Sequence, residues 1–268
     1  MAYRFRDLGY QPARDRLRAL PAAGLTPARL RLVMIGLTAG LAVAALAGWA
    51  MLFVNQIQGG WLGADFHLYQ SFGAQAIATG RPYTPDPNAP ELSGQYRYPP
   101  PALYLFVAFQ FIPWPLWWAV PLSVTGWVVW WWRPAPWFWT AALAALCFSG
   151  AFVTLGTGNT DIWVLAALAL ATRWPAVSWL LVAKPSALPF TLPALLHRGW
   201  WLGAALAALA SLPLLPLWLD WLRMLPLYHG AQGPLWLYGL VNWPVFALPW
   251  LARLSSTRTA PVAVTRAP

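Results

Sequence analysis

Apolar and polar positions fall along this chain in long blocks. Leu32 to Val54 is an uncharged apolar run of 23 residues, enough for one spanning helix at about 1.5 Å per residue. Further apolar runs follow at Ala102–Trp132, Trp137–Leu155, Ile162–Thr172, Pro175–Ala183, Pro185–Leu196, Gly199–Leu219 and Pro234–Leu251. The one long polar segment enclosed between such runs covers residues 63–101. Within it Leu62, Phe66, Tyr69, Gly73 and Ile77 recur at the spacing of one helix face, and Gly80 and Pro82 then stop that helix. The pattern predicts an all-α, polytopic transmembrane helical bundle. Its first loop, residues 55–101, carries a short amphipathic helix at the membrane surface and re-enters the bilayer at Tyr98-Pro99-Pro100-Pro101.

Two of the runs are too short to span as regular helices, since Pro175–Ala183 and Pro185–Leu196 hold nine and twelve residues where about 20 are needed. They are expected to be broken helices meeting near Lys184. Non-helical backbone at membrane depth is tolerated only where protein or a wet cavity satisfies its polar groups, so a cavity is expected beside Lys184. The run from Ala102 to Trp132, interrupted by Pro113, Pro115 and Pro121, is either a hairpin or a re-entrant piece followed by a span.

Composition strengthens the membrane reading, with 59% hydrophobic residues, 9% charged and a mean hydropathy of +0.52. Twenty-one Trp residues suit the interfacial belts of a multi-span protein. A net charge of +10 suggests nucleic acid only until the basic residues are located: they lie mostly at segment ends, where membrane orientation places them. With residues 1–31 and 252–268 as cytoplasmic basic tails around a transmembrane domain at 32–251, 13 of the 17 basic residues fall inside. Arg81, Arg97, Lys184 and Arg223 remain outside, together with Asp65, Asp86, Glu91, Asp161 and Asp220. The hairpin alternative leaves no such bias, so the re-entrant arrangement is preferred. The expectation is therefore a multi-pass protein of the plasma (inner) membrane, its first run an uncleaved anchor, its N-terminus cytoplasmic and its polar loop extracytoplasmic. The single Cys147 offers neither a disulfide framework nor a thiolate metal cluster.

Candidate chemistry sits in the polar interruptions. Asp65 is a carboxylate at the start of the loop helix, where it either faces a cavity or caps the helix. Gly156-Thr157-Gly158-Asn159-Thr160-Asp161 is a second polar break on the same side, and Asp161 is either part of a shared cavity or the cap of the helix that starts at Ile162. Lys184, the one lysine in the chain, costs about 2.5–3.5 kcal/mol near a bilayer centre. It awaits an anionic headgroup, pairs with a carboxylate, or snorkels to the interface. His67 has no second histidine nearby for a metal site.

The ordered set Asp65-x-x-x-Tyr69, Gly80-Arg81-Pro82-Tyr83, Tyr96-x-Tyr98-Pro99-Pro100, Gly156 to Asn159, and Lys184-Pro185 before His197-Arg198-Gly199-Trp200 resembles the polyprenyl-phosphate-sugar-dependent membrane glycosyltransferases of glycosyltransferase family 87, the DUF2029 group, over roughly residues 32–220. The resemblance implies a GT-C fold and transfer of a mannose-like hexose from a polyprenyl-phosphate donor to an extracytoplasmic hydroxyl of a glycan or glycolipid, with inversion. Asp65 is then the general base. Lys184 with Arg81 or Arg97 holds the donor phosphate, and Tyr83, Tyr96, Tyr98, Asn159 and Asp161 are expected to line the substrate site. No cofactor follows from these residues, which leave a divalent metal open. Two other classes stay in view: a transporter or flippase of lipid-linked sugars, and a non-catalytic relative of such enzymes.

Overall fold

The computed structural model describes residues 26–83, 98–147, 149–224 and 243–256, and their regular elements are all helical. Helix α1, Pro27–Gln58, runs for 32 residues, opened by Thr26, whose side chain accepts from the Arg29 N–H, and by Pro27 at its first position. Most of its apolar side chains face outward, with Leu32, Leu46 and Met51 about two-thirds or more exposed. Helix α1 and the continuous stretch Arg198–Met224 are, among the described residues, the two segments long and apolar enough to cross a membrane, and only 6% of either one's most apolar window is buried. Such exposed apolar surface is compatible with a lipid environment.

Helix α2, Ala64–Thr79, starts from Gly63 and stops at Gly80, both left-handed with φ of 72° and 65°. It lies against α3, Ala102–Phe109. A side chain at Gly73 would place its Cβ 2.4 Å from the Phe106 carbonyl oxygen, so only glycine permits this approach. The buried face of α2 is Phe66, Tyr69, Phe72 and Gly73, whereas Ile77 is 60% exposed. The expected helix face thus ends early, because α3 has eight residues, about 12 Å, and covers only half of its partner.

After a turn at Pro113 comes α4, Trp114–Trp132, whose 19 residues extend about 28 Å. The run from Ala102 to Trp132 is thus one short and one long helix of unequal length, joined at Pro113. The run expected as one crossing at Trp137–Leu155 is broken into α5, Pro136–Leu146, and α6, Ser149–Thr157. Helix α1 binds α5 through Thr38 Oγ1 and Thr140 Oγ1 at 2.7 Å and through Trp49 Nε1 donating to the Leu146 carbonyl at 3.2 Å. Cys147 packs in this joint, its Sγ 3.6 Å from the Leu41 carbonyl.

Helix α7, Asp161–Arg173, is the most enclosed element, with Ile162, Leu168, Ala169, Ala171 and Thr172 at 2% exposure or less. It runs parallel to α4: Trp117 Nε1 donates to the Gly158 carbonyl at 2.8 Å near the start of both, and Trp132 Nε1 donates to Thr172 Oγ1 at 2.9 Å near their ends. Two 3₁₀ segments follow, Pro175–Ala183 and Pro185–Ala194, joined at an extended Lys184 with φ −131° and ψ 94°. This is the break expected there, in 3₁₀ rather than α geometry, with a proline opening each piece. The chain continues through α8, Arg198–Ser211, a 3₁₀ turn at Leu212–Leu214, and α9, Leu215–Met224. Helices α10, Trp243–Phe246, and α11, Leu248–Leu254, close the bundle, α11 against both α4 and α7.

Candidate functional site

Three stretches far apart in the sequence meet at the start of α7. The turn between α6 and α7 is pinned first. Gly63 N–H donates to the Gly156 carbonyl at 3.0 Å, Trp118 Nε1 to the Leu155 carbonyl at 2.6 Å, and Trp117 Nε1 to that of Gly158. Gly158 has φ of 75°, and a Cβ there would lie 2.7 Å from the Trp118 ring and 3.1 Å from Phe66 Cβ, so the position demands glycine twice over.

On that turn Thr157 Oγ1 and Asn159 Nδ2 donate to Asp65 Oδ2 at 2.7 and 2.9 Å. Asp65 lies in the first turn of α2, but the cap position belongs to Gly63, and its carboxylate is held by side chains from another element rather than by its own helix. Oδ1 carries none of these bonds. Asn159 turns its other atom to the lysine: Lys184 Nζ donates to Asn159 Oδ1 at 3.1 Å and to Thr160 Oγ1 at 3.3 Å. An amide is a neutral side chain that donates to a carboxylate and accepts from an ammonium at once, so Asn159 couples Asp65 to Lys184. Asn159 Oδ1 also accepts from the Asp161 N–H at 3.2 Å.

Lys184 completes its coordination with a salt bridge to Asp161 Oδ1, and the two side chains are 13% and 5% exposed. Asp161 is the first residue of α7 and Thr160 stands at the cap, so Asp161 serves as the lysine's counter-ion. Asn159 and Thr160 thus accept from the ammonium while Asp161 supplies its counter-charge. Above this group, Tyr98 Oη lies 2.8 Å from Thr160 Oγ1 and donates to Tyr69 Oη at 3.1 Å, and Lys184 Nζ is 5.9 Å from the Tyr98 ring centre. Burial, then the neighbouring Tyr98 and the carboxylates of Asp65 and Asp161, hold the Tyr69 phenol well above its ordinary value, so it stays protonated.

A cavity of about 300 Å³ opens on the other side of the turn, between α1 and α4. Trp49, Phe53, Trp114, Trp118, Leu122 and Leu155 give it an almost wholly apolar lining, with Gln56 and Gly156 at its edge. It shares Trp118 and the Gly156 turn with the polar cluster. Among the described residues no three of His, Cys, Asp and Glu come together as metal ligands.

No family model, curated protein or solved structure matches this chain. The residues singled out in the sequence are therefore weighed on geometry alone. Asp65, Asn159, Asp161, Lys184 and Tyr98 come together in one hydrogen-bonded group. Tyr83 is buried and donates to the Tyr98 carbonyl at 2.7 Å, which positions Tyr98. Arg81 is exposed past the far end of α2, which extends about 21 Å from Asp65 to Thr79. Tyr96 and Arg97 lie outside the described residues, as do Asp86, Glu91 and both basic tails apart from their inner ends. Sequence reasoning did not single out Thr157, Thr160 or the indoles of Trp117 and Trp118 as parts of the site. The hydroxyls flanking Asn159 carried a signal, since a polar turn between apolar runs needs internal donors. Trp117, fully buried, departs from the expectation that tryptophans here mark interfaces, because its N–H has a carbonyl to bind.

Proposed function

We propose that this chain is a multi-pass membrane glycosyltransferase that moves a hexose from a polyprenyl-phosphate donor to an extracytoplasmic hydroxyl. The observation that carries the proposal is the coupling of Asp65 through Asn159 to Lys184: a carboxylate and a cation held a fixed distance apart by a neutral amide, at a break in helical structure, beside an apolar cavity. Asp65 is the base. With Oδ2 fixed by Thr157 and Asn159, Oδ1 is left to take the proton of the attacking hydroxyl. The hydroxyl oxygen bonds to the anomeric carbon as the bond from that carbon to the phosphate oxygen breaks. The electron pair leaves with the lipid phosphate, which needs no strong acid, and a single displacement inverts the centre. Lys184 stabilises the departing phosphate. Because Lys184 already has a counter-ion, the phosphate binds by displacing Asp161, which it replaces in kind, anion for anion.

The cavity between α1 and α4 supports a lipid-linked donor, since an isoprenoid chain requires an apolar channel and this one adjoins the Gly156 turn that leads to the site. The bundle also supports the orientation drawn from charge. Asp65, Asp161 and Lys184 lie at one end of α7 and Arg173 at the other end of this 13-residue helix, about 18 Å away. Arg133 and Arg253 end helices that finish beside Arg173.

The purified protein, supplied with a polyprenyl-phosphate sugar labelled in the sugar and with a hydroxyl acceptor, should release polyprenyl phosphate and label the acceptor. Release of neither product, by protein shown to be folded, would overturn the proposal. Labelled donor that crosses a vesicle bilayer intact would favour the flippase reading instead.

A further inference from the structure

The end of α7 away from the polar cluster holds a second concentration of charge. Arg173, in the last turn of α7, is enclosed by three indoles: its guanidinium carbon is 4.2 Å from the Trp131 ring centre, 4.4 Å from Trp174 and 5.2 Å from Trp127. Trp127 and Trp174 are stacked on each other at 6.1 Å and are 48% and 42% exposed. Arg253, on α11, lies 5.6 Å from both Trp132 and Trp250. The two sites touch, because Trp131 and Trp132 meet edge to face at 4.8 Å. Arg133, exposed at the end of α4, borders them.

Aromatic faces satisfy the flat faces of a guanidinium, but its five N–H donors lie in the plane and need lone pairs. The described carboxylates are committed elsewhere: Asp65 and Asp161 belong to the polar cluster, and Asp220 pairs with Arg223. A guanidinium does not lose its proton, so two permanent cations stand in an aromatic rim that also opens outward. Phosphate diesters supply the in-plane acceptors that indoles lack, in the fork geometry a guanidinium matches. The half-exposed indoles are the residues that lie at the level of lipid headgroups.

We propose that Arg173 and Arg253, with their tryptophans, form a binding site for the headgroup of an anionic phospholipid of the phosphatidylglycerol type. The site rests on the membrane reading of the chain but not on glycosyl transfer, and it works whatever the polar cluster does. It fixes the depth of the α4–α7–α11 unit by holding this end of α7 at one headgroup layer.

Native mass spectrometry of the detergent-solubilised full chain, with dioleoylphosphatidylglycerol or dioleoylphosphatidylcholine added at equal concentration, tests the site. The wild type should retain the anionic lipid in preference, and R173Q should lose about tenfold in its affinity, the effect of removing one charge-assisted phosphate contact. R173K, which keeps the charge but loses the planar fork, should fall between them, and R253Q should give a smaller loss of the same kind. Arg223→Gln, at an exposed ion pair on α9, should retain the wild-type preference. If R173Q does not fold in detergent, R173K and R253Q carry the comparison. An unchanged preference for the anionic lipid in the folded arginine variants overturns the proposal. So does displacement of the lipid by an equal concentration of soluble glycerol phosphate, which would make the site one for free phosphates.

Discussion

The two ends of α7 handle charge in opposite ways. At its start, Lys184 is largely enclosed and held by a carboxylate, an amide and a hydroxyl, in a network that reaches Asp65. At its finish, Arg173 rests on three indole faces. The first arrangement fixes atoms to within hydrogen-bond geometry and pays for buried charge with specific partners, as chemistry requires. The second tolerates sliding, because a cation over an aromatic face has a broad minimum, and this suits the holding of a helix at a depth. Transfer should therefore respond to single-atom changes at the Asp65 end, whereas lipid preference should respond to changes of charge at the Arg173 end.

The largest expected effect separates the catalytic from the structural use of the polar end. Asp65→Asn keeps an oxygen that accepts from Thr157 and Asn159, so the turn should stay closed, but it removes the base. Transfer should fall about 10²- to 10⁴-fold while melting temperature changes little. Near-normal turnover by the Asn variant would make Asp65 a structural tie between α2 and the α6–α7 turn.

Lys184→Met comes next and works mainly on stability. Removing the ammonium leaves Asp161, 5% exposed, as a buried charge with its counter-ion gone, a loss of about 3–5 kcal/mol. Melting temperature should drop on the order of 10 °C. The double variant Lys184→Met with Asp161→Leu removes both charges and should recover most of that stability. On the proposed mechanism it regains no transfer. Recovered transfer in the double variant would return Lys184 to a purely structural role.

Much of this site was legible in the sequence, and the reasons are specific. A lone lysine in an apolar run must be compensated, and Pro175 and Pro185 around it must break a helix, so the extended joint at Lys184 could be read directly. Asp65 and the Gly156–Asp161 turn stood out as polar breaks between apolar blocks. That Lys184 pairs with a carboxylate stayed one option among several, and Asp161 was not singled out for it, because sequence shows which groups need partners without saying which partners they take. The amide bridge of Asn159 and the hydroxyl of Thr157 were hidden for the same reason. The exposure of Ile77 follows from the length of α3, which the proline-rich run from Ala102 to Trp132 left undecided. The placement of Arg81 far from Asp65 needed only the helix rise once α2 was taken as one helix, and the motif order obscured it.

A smaller effect tests the turn that carries the polar end. Gly158→Ala puts a Cβ on a residue at φ 75° and within 2.7 Å of Trp118. The backbone strain alone costs about 1–3 kcal/mol, and Trp118 must shift away from the Leu155 carbonyl. Chemical denaturation should show that loss, with transfer reduced in parallel because Asn159 moves with the turn. Unchanged stability would mean that the turn does not hold this conformation.

The smallest expected effect reads the field at the polar end directly. The Tyr69 phenol is held above its ordinary value first by burial, then by Tyr98 and by the charges of Asp65 and, last, Asp161. In the unfolded chain it titrates near pH 10. The folded protein keeps that proton at a pH where the unfolded chain has lost it, so Tyr69 favours folding fully below about pH 10, and the contribution fades as pH rises through the raised folded value. An alkaline titration followed by phenolate absorbance, compared with Tyr69→Phe, should show no Tyr69 signal in the range where exposed tyrosines titrate. Asp65→Asn removes one of the lesser causes and should move the Tyr69 titration slightly downward while leaving it above the ordinary range. A Tyr69 that titrates with the exposed tyrosines would mean the polar end is open to water, and the desolvated contacts from Asp65 to Lys184 would lose the strength that the proposed chemistry needs.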